Sequence, residues 1–436
     1  MRVSAPRFDA IVVGAGPAGS VAAYTMARQG MRVALIERGE FPGAKNVFGG
    51  VLYRKPLEDI IPEFWKEAPL ERKVVEQRLW ILGKDSIVSL GYRSARFKEP
   101  PNAWTGLRAK FDAWLAGKAE GAGAVPIYET VATGLIRDGE KVVGVRTDRD
   151  EGDLYASVVI IADGVNSLLA KSLGVHREWN PDQVSLAVKE VLALPKDIIQ
   201  ERFGVEEGDG VTIELVGETC GMAGLGFLYT NQDTLSIGVG VMVSDLQKNR
   251  VKPYQVLDGI KRHPEVQRLI AGGETKEYAA HLIPEGGFDA MPPLAGDGWM
   301  ICGDAAQMVN AAHREGTDLA MLSGRLAGET AVACHATGDW SAGGLGAYTR
   351  AVKESIIHRD LKKYRGLHGL LSGPQAEVLF GALPQALNDA VYEMLSVDGE
   401  SKRDKQKHAA ALLREAAGGT AGLIGIGWRG WRAMNG

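Results

Sequence analysis

The chain has 436 residues, 45% of them apolar and 24% charged, with a formal net charge of −4. That balance belongs to a globular protein with room for two domains, and it excludes a disordered chain or a coiled coil. It also gives no electrostatic footprint for nucleic acid. Three scattered cysteines, Cys220, Cys302 and Cys334, make neither a disulfide framework nor a C-x-x-C metal site. They fall short of the four ligands that an iron–sulfur cluster requires, and they fit a reducing compartment. The first apolar run is too short for a secretory segment, and no stretch approaches the roughly 20 apolar residues of a spanning helix. The expectation is a cytoplasmic protein that can still lie on a membrane.

Residues 8–13 (FDAIVV) read as a buried parallel strand. A glycine-rich turn follows, then a helix from Pro17 to Gln29 with proline in its first turn and Gly30 as its stop. Residues 32–36 (RVALI) read as the next strand. Residues 44–101 look irregular, wrapping the first layer, and residues 107–119 form an amphipathic helix. Segments around Val142–Thr147 and Tyr155–Ile161 suggest a hairpin joined to a return strand. From Pro181 to Pro293 alternating strands, among them Val211–Leu215 and Leu235–Val243, predict a β-rich domain. Then come a strand at Trp299–Cys302, a helix after Gly316, and a helical pattern beyond Leu345 that ends in AGLIGIGWRGWRAMNG.

Gly14-Ala-Gly16-Pro17-Ala18-Gly19 is a G-x-G-x-x-G that follows a strand and opens a helix, the context in which it binds a dinucleotide. Gly14 permits the turn, Gly16 lets the backbone approach a pyrophosphate, and Gly19 lets helix and strand pack closely. The free N–H groups and positive dipole end of the helix suit phosphate. Glu37, followed by Arg38, ends the second strand, where a carboxylate accepts hydrogen bonds from ribose and disfavours a 2′-phosphate. Gly303-Asp304 follows the WMIC strand and offers an acid to a ribityl chain or ribose; the same acid also suits a plain N-cap. His313-Arg-Glu315-Gly316-Thr317 leads into an apolar helix whose N–H groups can face the pyrimidine edge of a flavin. Asp163-Gly164 closes the VVIIA strand and by itself is equally an ordinary Asp-Gly turn. Arg108 can reach a phosphate as a bidentate donor, or be a surface arginine.

In this order the four segments resemble the flavoproteins of the geranylgeranyl-reductase-like and electron-transfer-flavoprotein:quinone-oxidoreductase-like group. The match comprises the glycine motif, Arg108-x-x-Phe111-Asp112-x-x-Leu115, Ala162 to Ser167, and Gly303 to Ala305. The resemblance covers nearly the whole chain. It implies FAD as cofactor and an α/β fold of the p-hydroxybenzoate-hydroxylase type. A Rossmann-type FAD domain (1–60, 105–178 and 295–345) would be interrupted by a β-rich α+β substrate or quinone domain (61–104 and 179–294). Residues 346–436 would form a C-terminal helical region.

Closer features are similar to the FixC-like branch: Pro42 to Asn46 leading to Gly49–Tyr53, Ile61-Pro62, Ala68 to Arg72, and His313 to Gly316. This resemblance implies electron transfer from FixA/FixB-like electron-transfer flavoprotein subunits through FAD to a quinone. It further implies bifurcation that supplies reduced ferredoxin or flavodoxin for processes such as nitrogen fixation, and a separate ferredoxin-like FixX that carries the iron–sulfur cluster. No protein acid–base pair is required, although His313 or Glu315 could pass protons to the acceptor. The tail places Leu423, Ile424, Ile426, Trp428 and Trp431 beside Arg429 and Arg432, a composition suited to a membrane interface. The apolar part of Leu361–Leu387, with Leu370-Leu371 and Val378 to Phe380, could join it. Two other activities fit the same scaffold: reduction of an isoprenoid lipid, and flavin-dependent aromatic hydroxylation. Against the first, Gly226-Phe-Leu-Tyr-Thr230 before Gly238-Val-Gly240 lacks the Trp and Pro of the Tyr-x-Trp-x-Phe-Pro stretch of those reductases.

Overall fold

The computed structural model describes residues 7–45, 50–373 and 375–435. Asn46 to Gly49, part of one family-like stretch, lie outside the described residues. The chain divides into two compact units: residues 1–70, 106–179 and 283–365, and residues 71–105, 180–282 and 366–436.

The first unit is built on a parallel sheet. Its elements are β1 (Arg7–Val13), α1 (Pro17–Ala27), β2 (Val33–Ile36), α2 (Arg108–Gly121), β3 (Val125–Ile127), β4 (Leu154–Ile161), β5 (Trp299–Ile301) and α3 (Thr317–Thr337). The strand order is β5-β4-β1-β2-β3, with every neighbouring pair parallel. Strands covered on both faces must be apolar throughout, which is why Ala10–Val13, Val33–Ile36 and Val158–Ile161 are all buried. The helix read as Pro17–Gln29 stops at Ala27, with Arg28 as its C-cap. The return strand β4 pairs antiparallel with Lys141–Thr147, the hairpin that the alternating segments suggested, and that strand pairs in turn with Ala132–Asp138, which the alternation did not mark.

The second unit is a β-rich mixed sheet. Its strands run in the order Glu274–Pro284, Val184–Ala193, Thr234–Met242, Gly224–Thr230, Asp209–Val216, Leu70–Leu82 and Ala103–Gly106. One face packs Val188, Leu192, Val211, Ile213, Leu215, Leu228, Ile237 and Val239 into an apolar cluster with the helices Pro253–Arg262 and Pro264–Ile270. The stretch read as irregular, 44–101, in fact holds a long hairpin, Leu70–Leu82 with Ile87–Arg93. Its strand pattern was hidden by charge. Arg72 is buried, donating to the backbone oxygens of Asn231 at 2.5 Å, Asp209 at 3.1 Å and Gln232 at 2.8 Å, so a guanidinium holds strand and loop together. Glu71 accepts from the Gln232 N–H at 2.9 Å, and the family-like stretch ending at Arg72 is therefore part of the scaffold.

Candidate functional site

In a parallel sheet every strand ends at the same edge, and that edge gathers the loops that follow. Gly14–Gly19 follows β1, Glu37 follows β2, Asp163-Gly164 follows β4, and Gly303-Asp304 follows β5. The three motif glycines have different reasons to be glycine. Gly14 has φ +101°, and a Cβ there would lie 2.3 Å from the Ala162 carbonyl oxygen. A Cβ on Gly19 would lie 1.8 Å from the Gly14 oxygen. Around a Cβ on Gly16 there is nothing within 4 Å among the described residues beyond its chain neighbours, and its backbone is extended. Two of the glycines therefore serve packing, while Gly16 opens onto free volume at the start of α1, where a pyrophosphate would approach the helix N–H groups. Pro17 and Ala18 are buried behind it.

Glu37 does more than wait for a ribose. One carboxylate oxygen accepts from the Ala15 N–H at 3.0 Å and the other from the Gly39 N–H at 2.8 Å, tying β2 to the glycine turn. Behind this edge Arg108 and Asp112, both buried, form a bidentate pair at 2.7 and 2.8 Å along the first turn of α2. Burial works against the Arg108 cation, but Asp112 and Asp304 outweigh it and hold its pKa above the ordinary value. Burial also raises the Asp112 and Asp304 carboxyls, in each case against the pull of Arg108. Arg108 is thus a buried cation between an acid of its own helix, Asp112, and an acid of the Gly303 turn, Asp304, not a surface arginine.

The turn at Gly303 (φ +66°) is held by its N–H, which donates to the Ser323 hydroxyl at 2.9 Å on α3. There α3 touches α1 backbone to backbone. A Cβ on Gly324 would lie 2.1 Å from the Ala18 oxygen, and one on Gly328 would lie 3.0 Å from the Ala22 oxygen. The Ser167 hydroxyl donates to the Ala305 oxygen at 3.2 Å, joining the Asp-Gly turn to the Gly-Asp turn. Asp163 accepts from the Leu169 N–H at 3.0 Å, and burial pushes its carboxyl up to about 6. Gly164, at φ +76°, faces open space.

Gly316 caps α3, and Thr317 opens it. The next residue, Asp318, passed unremarked in the sequence because an acid in a first helical turn is ordinary. Here it is buried, and burial, then Glu315 and Asp360, push it up to about 7. Glu315 accepts from the Asn310 amide at 2.9 Å. His313 is exposed, 2.7 Å from the Tyr364 hydroxyl, and the two rings meet edge-on at 5.0 Å. Arg38 is also exposed, and its charge is felt at Asp163. The structure therefore gathers the glycine turn, Glu37, Arg108, Asp163-Gly164 and Gly303-Asp304 at one edge, with His313 and Arg38 turned to solvent.

The edge fits an extended dinucleotide. Besides the free volume at Gly16, the side-chain oxygens Asp163 Oδ1, Gln307 Oε1 and Asn310 Oδ1 are buried and find no hydrogen-bond partner among the described residues. Buried acceptors of this kind call for a donor, and a bound flavin nucleotide carries several. Among the described residues no group of three or more His, Cys, Asp and Glu side chains could hold a metal ion.

Comparison with known proteins agrees with this geometry. Residues 9–185 match the family described as FAD dependent oxidoreductase, and residues 374–435 match the ETF-QO/FixC family C-terminal domain. Protein FixC of Bradyrhizobium diazoefficiens is 47% identical over 98% of this chain and 99% of its own length. Protein FixC of Azotobacter vinelandii is 45% identical over 99% of this chain and 100% of its own. A probable electron transfer flavoprotein-quinone oxidoreductase of Escherichia coli, YdiS, is 40% identical over 93% of this chain and 94% of its own. Among solved structures, a geranylgeranyl bacteriochlorophyll reductase-like protein from Thermoplasma acidophilum superposes with a TM-score of 0.73. It covers 93% of this chain and 96% of its own, at 22% identity, a likeness of fold.

Proposed function

Because this chain belongs to the ETF-QO/FixC family of FAD-dependent oxidoreductases, we propose that it carries electrons from an electron-transfer flavoprotein through FAD to a quinone. The observation that carries the reading is one chain joining the dinucleotide edge to a family-specific C-terminal domain over residues 374–435. We assign the first unit as the FAD domain and the second as the quinone domain. In this reading Gly14, Gly16, Pro17, Ala18 and Gly19 cradle the pyrophosphate, and Glu37 with Arg38 meets the adenosine ribose. Arg108, Asp163, Gly164, Gly303 and Asp304 line the middle of the dinucleotide. Gly316 and Thr317 present helix N–H groups to the far ring. Bound there, the flavin supplies reversible uptake of electrons, singly or in pairs.

The chain's own work is then to bind, orient and shield. The Arg108–Asp112 pair fixes one wall electrostatically, and the α1–α3 contact fixes the spacing of the two turns. The N-terminus of α3 favours negative charge at the pyrimidine edge. Protons for the acceptor would enter through the exposed His313–Tyr364 pair, with Glu315 behind it. The partners would be FixA/FixB-like subunits that oxidise NADH and bifurcate its electrons, one stream going to ferredoxin or flavodoxin. A ferredoxin-like FixX would bring the iron–sulfur cluster. Nitrogen fixation is one process that such reductant would serve.

The quinone reading needs a lipid surface. Among the described residues no helix is long and apolar enough to cross a membrane. The helix Thr420–Asn435, however, exposes Ile424, Trp428 and Trp431 along one face, and Arg432 stacks over Trp428 at 5.4 Å. That is the composition of a helix lying in the headgroup layer. Leu371 and Phe380, candidates for the same surface, are partly buried against Ala223, Met242 and Ala376 within their own unit. Co-sedimentation with anionic liposomes tests the contact: Trp428→Ala with Trp431→Ala should abolish it, and binding that survives would refute it. The central test is to purify the chain with the products of its genomic neighbours. NADH should reduce a menaquinone or ubiquinone analogue only when the electron-transfer flavoprotein is present. NAD(P)H oxidation by the chain alone, with oxygen uptake on adding an aromatic substrate, would overturn the proposal in favour of a hydroxylase.

A further inference from the structure

Helix α3 begins among acids. The loop before it closes on itself: the Asn310 N–H donates to the Glu315 carbonyl oxygen at 2.8 Å, and the Glu315 N–H donates back at 3.2 Å. With the Asn310 amide also bonded to its carboxylate at 2.9 Å, Glu315 is a charge fixed in place three residues before Asp318. The helix Ile356–Lys363 brings Asp360 near, and the His313–Tyr364 pair ties the end of that helix to the loop. Asp318 itself is 6% exposed, and its carboxylate accepts from its own N–H and from that of Leu319.

The other charged side chains on the elements packed around α3 are engaged elsewhere or face water. Arg54 bonds Glu58 at 2.5 Å within the helix Arg54–Glu58, and Asp304 lies with Arg108. Arg350, Lys353 and Glu354 of the helix Ala342–Glu354 are exposed, as is His313, which Arg314 follows in the loop. On α3 itself Arg325 and Glu329 pair at 3.7 Å, further along the helix. The strongest charges acting on Asp318 are therefore those of two acids, and burial, then Glu315 and Asp360, push its carboxyl up to about 7.

A helix end offers one set of free N–H groups and one positive pole. In the reading above this end also faces the pyrimidine edge of the flavin, where reduction places negative charge. An anionic Asp318, holding two of the N–H groups, repels the charge that the electrons bring, and protonating it removes the repulsion. In a desolvated site that repulsion acts through the protein, so the carboxyl need not touch the ring.

We propose that Asp318 takes up a proton when the flavin is reduced and releases it when the flavin is oxidised, so that negative charge on the ring replaces negative charge on the protein. The inference rests on the flavin reading above. Two electrons from the electron-transfer flavoprotein and one proton, bound at N5, give the anionic reduced ring. A second proton, drawn from water past the exposed His313–Tyr364 pair, goes to the Asp318 carboxylate. When a quinone takes the two electrons, both protons are released and the quinone binds two, so charge balances in each half.

The test is the midpoint potential of the holoprotein flavin against pH, measured by equilibration with a reference dye. Each proton taken up with two electrons lowers the potential by about 30 mV per pH unit. From about pH 7 upward, wild type should fall by about 60 mV per unit and Asp318→Asn by about 30 mV. The two should run together at lower pH, and the variant should have the higher potential at alkaline pH. Asp360→Asn, which removes one repelling charge, should move the break to lower pH without abolishing it. Infrared difference spectra of wild type at about pH 8 should show the carbonyl stretch of a protonated carboxyl appearing on reduction, a measurement that stands even if Asp318→Asn does not fold. Equal slopes in folded, flavinated wild type and Asp318→Asn, or no such band, overturn the inference alone. Distinct slopes in a flavin that the electron-transfer flavoprotein cannot reduce would overturn the electron-transfer reading and leave the role of Asp318 standing. A wild-type protein that binds no FAD overturns both.

Discussion

Gly16→Ala separates the cofactor's need for a bare backbone from the protein's own. Apart from its chain neighbours, no atom of the described residues lies within 4 Å of the added methyl, and the extended backbone at Gly16 (φ −74°, ψ −175°) suits alanine. Restricting the unfolded chain favours the variant by roughly 0.4–1 kcal/mol. Alanine is a poorer N-cap than glycine, which costs about 0.5–1 kcal/mol at the start of α1. The two effects nearly cancel, so the apoprotein should unfold within about 1 kcal/mol of wild type. FAD is another matter, because the methyl occupies the volume in which the pyrophosphate meets the helix N–H groups. Losing one such charge-assisted contact is worth about 1.5–3 kcal/mol, or ten- to a hundredfold in Kd. Gly19→Ala is the control: its Cβ would sit 1.8 Å from the Gly14 oxygen, so it should destabilise the apoprotein itself by at least ~1–3 kcal/mol. The assays are urea unfolding of both apoproteins and titration with FAD, read by flavin absorbance. If Gly16→Ala binds FAD as tightly as wild type, or unfolds as readily as Gly19→Ala, the division of labour among these glycines is wrong.

Three further outcomes follow from the same geometry. Asp112→Ala removes the bidentate partner of the buried Arg108 cation and should cost about 3–5 kcal/mol in urea unfolding, with much of the loss recovered when Arg108 is replaced by Met as well. Gly324→Ala puts a Cβ 2.1 Å from the Ala18 oxygen; it should push α1 from α3, lower the apoprotein's stability by about 1–3 kcal/mol or more, and weaken FAD retention. A variant with wild-type stability and flavin content would show that the helices can part without consequence. For Asp318, the unfolded carboxyl releases its proton near 3.8 but the folded one only near 7. The folded state therefore binds the extra proton between those values, and stability falls as pH rises from about 4 to 7. Asp318→Asn should remove that decline, matching wild type near pH 4 and exceeding it by a few kcal/mol at pH 8. Parallel unfolding curves for the two proteins across this range would refute the assignment.

Much of the cofactor edge was legible from local pattern. A strand, a glycine turn, a helix and a second strand ending in Glu37 lie within some thirty residues. Each piece is set by interactions a few positions apart: apolar runs, a proline at the helix start, a steric demand for glycine. The Asp-Gly and Gly-Asp turns were likewise visible, because each closes an apolar strand. The hairpin at Leu70–Arg93 was not, since its buried Arg72 and Glu71 read as solvent-facing charge until Asn231 and Gln232 arrive to take their hydrogen bonds.

The sequence alone thus determined the parts whose physics is short-range: which segments become strands and helices at the cradle, and that the first turn leaves its backbone bare. Tertiary structure alone decided what depends on partners far along the chain. It set Gly324 against Ala18, placed Arg108 within reach of Asp304, buried Asp318 beside Asp360, and brought Lys189 across Gly238 from Phe227. The reason is that close packing, desolvation and cross-strand register are properties of neighbours in space, and a residue's spatial neighbours are settled only when the whole chain has folded.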